Sequence, residues 1–257
     1  MSEITLFAAS HRRLHHPIAL LPGWGFGGAC WQPLLPLLQT WSDVYCVQQA
    51  FIDADPNDSC ARLAAILPEK AILMGWSLGG QLATRIAAQH PQSVFALVTL
   101  ATNVTFVAKE HWPNALSYAN YKKFSNKVSL DVNQALQRFC KLVCHADLHV
   151  SEQFPWLQVQ LTSQYSIGSH DWLLTGLQLL ESIDNSKWLG QLQCPGLHLF
   201  GQEDVLVPVA AASLIKKLLP NNHRMAVMPH RGHLLHYPSK SLESLLVPFL
   251  SELATDD

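Results

Sequence analysis

The stretch Lys70-Ala71-Ile72-Leu73-Met74-Gly75-Trp76-Ser77-Leu78-Gly79-Gly80 decides the fold. Its first half is a short apolar run of the kind that forms a buried strand. From Leu78 to Gln89 the apolar residues Leu82, Ala83, Ile86 and Ala87 recur at helical spacing, and Pro91 stops the run. A strand enters and a helix leaves, so the chain must turn sharply at Ser77. Gly75 and Gly79 remove the side chains that would clash in such a turn.

The same alternation extends in both directions. Upstream, Ile18 to Leu21 reads as a strand ending in the glycine-rich turn Pro22-Gly23-Trp24-Gly25. Trp31 to Trp41 has helical spacing, Val44 to Val47 reads as a strand and Cys60 to Leu67 as a helix. Downstream, Val94 to Leu100 is another apolar strand. From Lys109 to about Asn185 strand character disappears and helical periodicity takes over, as in Val132-Ala135-Leu136-Phe139-Leu142-Val143. Strands resume at Gly196 to Phe200 and Met225 to Met228, each followed by a loop and a helical stretch. The pattern predicts an α/β fold with a mostly parallel central sheet covered by helices on both faces. Residues 1–108 and 186–257 would form one core, interrupted by a helical cap over 109–185.

Composition agrees with one large domain. Of 257 residues, 49% are hydrophobic and 14% charged, which suits a sizeable buried core and excludes a disordered chain. The apolar runs fall short of the roughly 20 residues that cross a bilayer, and Met1-Ser2-Glu3-Ile4-Thr5 lacks the start of a secretory signal. The expectation is a cytoplasmic monomer with no membrane or nucleic-acid partner. The six cysteines are scattered without a CxxC pair, as expected of packed, reduced thiols. Cys140, Cys144 and His145 lack the second cluster that a structural metal site needs, so neither metal nor cofactor is expected.

A serine hydroxyl is a poor nucleophile until a base takes its proton. Ser77 would lie at the carboxyl edge of the sheet, facing the positive end of the helix that follows. Asp204 lies in the loop after the Gly196 strand and His233 in the loop after the Met225 strand, which puts both at that edge. The chain order Ser, Asp, His is the order of α/β hydrolases. Glu203 remains an alternative acid, and His230 and His236 remain alternative bases. An oxyanion needs backbone N–H donors, for which Leu78 and Trp24 are the candidates.

With these residues in place, the chain resembles the pimeloyl-[acyl-carrier protein] methyl ester esterases of the α/β-hydrolase superfamily. The resemblance rests on Leu20-Leu21-Pro22-Gly23-Trp24-Gly25, Gly75-Trp76-Ser77-Leu78-Gly79-Gly80, His90-Pro91 with Val94 to Ala101, Glu110-His111-Trp112-Pro113, and Gly201 to Pro208. It implies an α/β-hydrolase fold and hydrolysis of the methyl ester of pimeloyl-[acyl-carrier protein] in biotin synthesis. It further implies an acyl chain lying near Trp24, Ser77, Leu78, His233 and the cap residues Phe139, Cys140, Lys141, Leu142 and Val143. An acyl-carrier protein would be the partner, with Arg138, Lys141, Lys122 and Lys123 as its contacts. Independently, residues 109–141 carry a net charge of about +4 in a chain of formal charge -2, which suits an acidic partner as well as a solvated helix face. The chain departs from the family pattern at Pro22, at Gln48-Gln49-Ala50-Phe51, and over residues 151–161, which contain no basic residue. Two other readings of the same residues are a general short-chain carboxylesterase and a non-catalytic ligand-binding protein on this fold.

Overall fold

The computed structural model describes residues 3–49, 53–164 and 169–255. Ala50 and Phe51 of the departure noted above lie outside them. Among the described residues, seven strands form one sheet: β1 (Ile4–Phe7), β2 (Ile18–Leu21), β3 (Val44–Val47), β4 (Ala71–Trp76), β5 (Val94–Leu100), β6 (Gly196–Gly201) and β7 (His223–Met228). Their order across the sheet is β1-β3-β2-β4-β5-β6-β7. β1 runs antiparallel to β3, and all other neighbouring pairs are parallel. β2, β4 and β6 are buried along their whole length, as expected of parallel strands covered on both faces. The expected α/β class with a mostly parallel sheet is the observed one.

Nine α-helices are described: α1 (Leu35–Leu38), α2 (Pro56–Ile66), α3 (Leu78–Gln89), α4 (Tyr118–Leu130), α5 (Val132–Val143), α6 (Val150–Gln164), α7 (Ser169–Ser182), α8 (Ala210–Leu218) and α9 (Lys240–Leu253). α4 to α7 all fall between β5 and β6. Ser117 caps α4 through the Asn120 N–H, and Asp131 caps α5 through the Gln134 N–H. α5 turns Ala135, Leu136, Phe139, Cys140 and Val143 inward along one stripe, while Arg138 and Lys141 face solvent.

Three expectations are corrected. The helix read over Trp31 to Trp41 is a 3-10 turn at Gly28–Trp31 followed by the single turn of α1. Pro33 and Pro36 lack the N–H that a continuous helix would use and clash with the preceding turn. α2 starts four residues before Cys60, because the Asp55 side chain accepts from the N–H groups of Asn57 and Asp58 and Pro56 fills the first helical position. β1 has no counterpart in the sequence reading. It is a four-residue edge strand with Leu6 facing solvent, too short to show periodicity.

Parallel pairing fixes where the chemistry falls. β2, β4, β6 and β7 point the same way, so the loops that leave them emerge together at one edge of the sheet. That edge is the usual location of sites in open α/β sheets. These loops carry Trp24, Ser77, Asp204 and His233 respectively.

Candidate active site

Ser77 sits between the last residue of β4 and the first of α3 with φ 55° and ψ −118°. A positive φ in a residue with a Cβ is a strained backbone, and it lifts the serine out of the strand line. The turn is held by its own backbone: Ser77 N–H donates to the Leu100 carbonyl (2.9 Å), and Ser77 O accepts from Gln81 N–H (3.1 Å). Space is so short that a Cβ on Gly79 would lie 2.1 Å from the Leu21 carbonyl oxygen and 2.6 Å from that of Pro22. The β2 loop therefore abuts the start of α3, and a Cβ on Gly23 would stand 3.4 Å from the Ser77 Cβ. Leu78 opens α3, and the first N–H groups of a helix have no partner within it.

The candidate acid and the candidate base meet directly. His233 Nδ1 donates to Asp204 Oδ2 at 2.7 Å, with both side chains almost wholly buried. The other oxygen, Oδ1, accepts the N–H groups of Leu206 (2.8 Å) and Val207 (2.9 Å), which lock the carboxylate in orientation. The two loops are in contact: a Cβ on Gly201 would stand 2.1 Å from the Gly232 carbonyl oxygen, and Glu203 N–H donates to Arg231 O (2.9 Å). With Nδ1 committed to Asp204, Nε2 is the nitrogen left to act as a base.

The neighbours weighed against Asp204 and His233 are placed differently. Glu203 is half-buried and has no hydrogen bond to the imidazole of His233, and His230 is exposed. His236 is buried, donates from Nε2 to the Cys30 carbonyl (3.1 Å) and stacks on Trp31. Burial pushes its pKa down to about 3, with Arg231 and His233 adding to that effect. It is a neutral packing histidine.

The Trp24 ring is buried against the inserted helices. Its indole Nε1 donates to the Leu173 carbonyl of α7 (2.9 Å), and the ring meets Phe139 and Phe124 edge-on at 4.9 and 5.3 Å between centroids. Phe26 extends the aromatic wall from Phe139 to Trp76. Of the cap residues singled out above, Phe139, Cys140 and Val143 are buried, Leu142 is half-buried and Lys141 is exposed. Burial pushes the thiols of Cys140 and Cys144 up to about 12, while His145 is exposed. Among the described residues, no three His, Cys, Asp or Glu side chains gather where they could hold a metal ion. Lys122, Lys123, Arg138 and Lys141 are all exposed, and Lys122 lies 3.7 Å from Glu181 and over the Tyr118 and Tyr121 rings.

Sequence reasoning missed two supports of the site. Trp76 donates its indole N–H to the His233 carbonyl (2.9 Å) and packs 5.6 Å from the His233 ring, joining the Ser77 turn to the histidine loop. Its adjacency to Ser77 was the available signal. Asp147 and Arg231 form a buried ion pair beneath His233, with Arg231 Nε 3.0 Å from Asp147 Oδ2. They are 84 residues apart, so no local pattern announces them.

A parallel sheet with serine, aspartate and histidine at its carboxyl edge defines a class, and residues 46–239 match the family model of the alpha/beta hydrolase fold: the chain belongs to the α/β-hydrolase family. The pimeloyl-[acyl-carrier protein] methyl ester esterase of Vibrio campbellii is 32% identical over 218 residues, covering 80% of this chain and 84% of that protein. The biotin biosynthesis bifunctional protein of Cellvibrio japonicus is 32% identical over 246 residues. That match takes in 93% of this chain, which spans only 48% of the longer protein's length. Among solved structures, an esterase from Exiguobacterium antarcticum superposes with a TM-score of 0.82 over 96% of this chain and 94% of that one, at 17% identity. That last likeness concerns the fold. Among the described residues no helix is long and apolar enough to cross a membrane.

Proposed function

We propose that the chain is a serine esterase in which Ser77 is the nucleophile, His233 the general base and Asp204 the group that orients His233. The observation that carries this reading is the buried 2.7 Å bond from His233 Nδ1 to Asp204, delivered to the sheet edge where Ser77 stands on a strained turn. His233 Nε2 takes the Ser77 proton as Oγ attacks the ester carbonyl. The oxyanion is met by the N–H groups of Leu78 and Trp24, which become its hydrogen-bond donors only as negative charge develops. His233 then returns the proton to the leaving alcohol, which leaves an acyl-serine. Water gives a proton to the same nitrogen, attacks the acyl carbon and frees the acid, restoring Ser77. The proposed triad, the two N–H donors and water suffice for every step, so the mechanism calls for no cofactor.

The substrate proposed is the methyl ester of pimeloyl-[acyl-carrier protein], with methanol as the leaving alcohol. Support comes from the relatives named above and from the aromatic wall of Trp24, Phe139 and Phe26, which suits an aliphatic acyl chain. Lys123, Arg138 and Lys141 would steer an acidic carrier toward the helices between β5 and β6. A second reading, a general short-chain carboxylesterase, is favoured by Lys122 being engaged with Glu181 and by the lack of basic residues over 151–161.

Labelling by a fluorophosphonate, lost in Ser77→Ala, tests the nucleophile. A wild-type protein that takes no label removes the enzyme reading. Comparing kcat/KM for pimeloyl-carrier methyl ester with that for short nitrophenyl esters separates the substrates. A preference for the small esters hands the case to the general esterase.

A further inference from the structure

The helices between β5 and β6 do more than cover the site. The corner between α5 and α6, residues 143–149, grips the backbone that carries His233. Asp147 Oδ2 accepts the Gly232 N–H at 2.7 Å and Arg231 Nε at 3.0 Å, so a single carboxylate oxygen binds the two residues that immediately precede His233. Its other oxygen accepts the His149 N–H (2.8 Å), which fixes the carboxylate within its own corner. On either side, His233 N–H donates to the Val143 carbonyl (3.1 Å) and Leu148 N–H donates to the His230 carbonyl (2.8 Å).

Arg231 carries the grip forward. Its Nη2 donates to the carbonyls of Leu234 (2.8 Å), Leu235 (3.3 Å) and Tyr237 (2.7 Å), so the guanidinium spans the loop from before His233 to beyond it. Gln153 of α6 donates to two of the same carbonyls, Leu234 (3.0 Å) and Tyr237 (2.7 Å). Asp147 and Arg231 are both about 3% exposed. An ion pair removed from water at this depth is a weak way to gain stability, since well-packed apolar residues often do as well. It is a strong way to define one geometry, because a planar fork and a carboxylate meet in few arrangements.

We infer that Asp147, supplied by the inserted helices, and Arg231 are positioning residues for His233: together they set the loop backbone so that Nδ1 meets Asp204 and Nε2 faces Ser77. The inference rests on the triad proposed above. Neither side chain touches substrate. Both act through the backbone of Gly232 and His233, and the inserted segment is thereby part of the machinery that aligns the base.

The test replaces the pair as a unit. Asp147→Leu with Arg231→Met removes both charges together, so neither is left buried alone. Turnover of nitrophenyl acetate, which needs no carrier, is measured beside thermal melting and the far-downfield proton resonance of His233 Nδ1. The expected result is cooperative melting, kcat lowered by up to about a hundredfold, as for a base displaced by about an ångström, KM within about twofold, and a shifted or broadened resonance. A purely structural pair would leave kcat and the resonance at their wild-type values once the protein is folded, and that result overturns the inference. Should the double variant not fold, Arg231→Lys serves instead. It keeps the charge facing Asp147 but cannot reach Asp147 and three carbonyls from one nitrogen, so kcat falls and KM holds. Wild-type kcat in that variant overturns the inference equally. If the wild type shows the downfield proton yet hydrolyses no ester, the esterase reading falls by itself. The resonance still decides the positioning role.

Discussion

Ser77 holds a backbone conformation that a residue with a Cβ adopts only when its surroundings force it, at φ 55° and ψ −118°. Such a conformation costs about 1–3 kcal/mol, and glycine would relieve it while losing about 0.5–1 kcal/mol to its freer unfolded chain. Ser77→Gly is therefore expected to be more stable than Ser77→Ala by about 1 kcal/mol, with ester turnover expected to be lost in both. Urea titration of both checks it, and a midpoint for Ser77→Gly below that of Ser77→Ala would mean that the turn is not strained. The strain has a legible source, since a strand running into a helix through Gly75 to Gly79 leaves no relaxed path. The neighbours of the proposed triad were less legible. Glu203 and Asp204 are alike in type and adjacent, and three histidines crowd residues 230–236. What separates them is tertiary: His236 spends Nε2 on the Cys30 carbonyl, 206 residues away, and no spacing rule reaches that far.

At the scale of elements, apolar periodicity located β2, β3, β5 and α3 because each is a short run bounded by glycine, proline or polar residues. It failed where backbone chemistry overrode it, as at Pro33 and Pro36, and it could not show how the inserted helices are tied down. The exit of that insertion is held by Arg85 of α3. Arg85 is buried and donates to Asn185 Oδ1 (3.1 Å), the Asp184 carbonyl (2.8 Å) and Asn57 Oδ1 (3.3 Å), and it lies over the Trp188 ring. Asn185 answers by donating to the Gln81 carbonyl (2.7 Å). Replacing Arg85 by Met keeps much of the volume but strands these acceptors, so a loss of about 2–4 kcal/mol is expected from denaturant titration. Arg85→Lys should recover only part of it, because one ammonium cannot replace a fork that reaches three acceptors. Full recovery by lysine would show that charge, and not geometry, holds the junction.

At the scale of the whole molecule, three histidines tie stability to pH. His198 Nδ1 lies 2.8 Å from Thr99 Oγ1 and its Nε2 lies 2.9 Å from His223 Nδ1, a chain crossing from buried Thr99 on β5 through buried His198 on β6 to half-buried His223 on β7. Burial pushes His198 down to about 3, helped by the neighbouring His223, and pushes His223 down to about 4, while His236 stands at about 3 for the same first reason. In the unfolded chain each would titrate near 6.5. Between the two values the unfolded state binds protons that the folded state refuses, so stability rises with pH across that window. Read downward, the contribution is whole above about pH 6.5 and drains as pH falls toward about 4 for His223 and about 3 for His198 and His236, by at most about 1.4 kcal/mol per pH unit for each histidine. Carboxylates held below their usual range, such as Asp184 beside Ser186, Lys109 and His111, lose their share only near and below about pH 4. Above about pH 4.5 the histidine effect therefore acts alone. Urea unfolding at intervals from pH 7 to 4.5 should show a steep decline in stability, and His223→Gln, which still offers His198 a hydrogen-bonding partner, should make that decline shallower by about one histidine's share. A wild-type stability that stays flat from pH 6.5 to 4.5 would mean that these histidines take up protons in the folded protein as readily as in water.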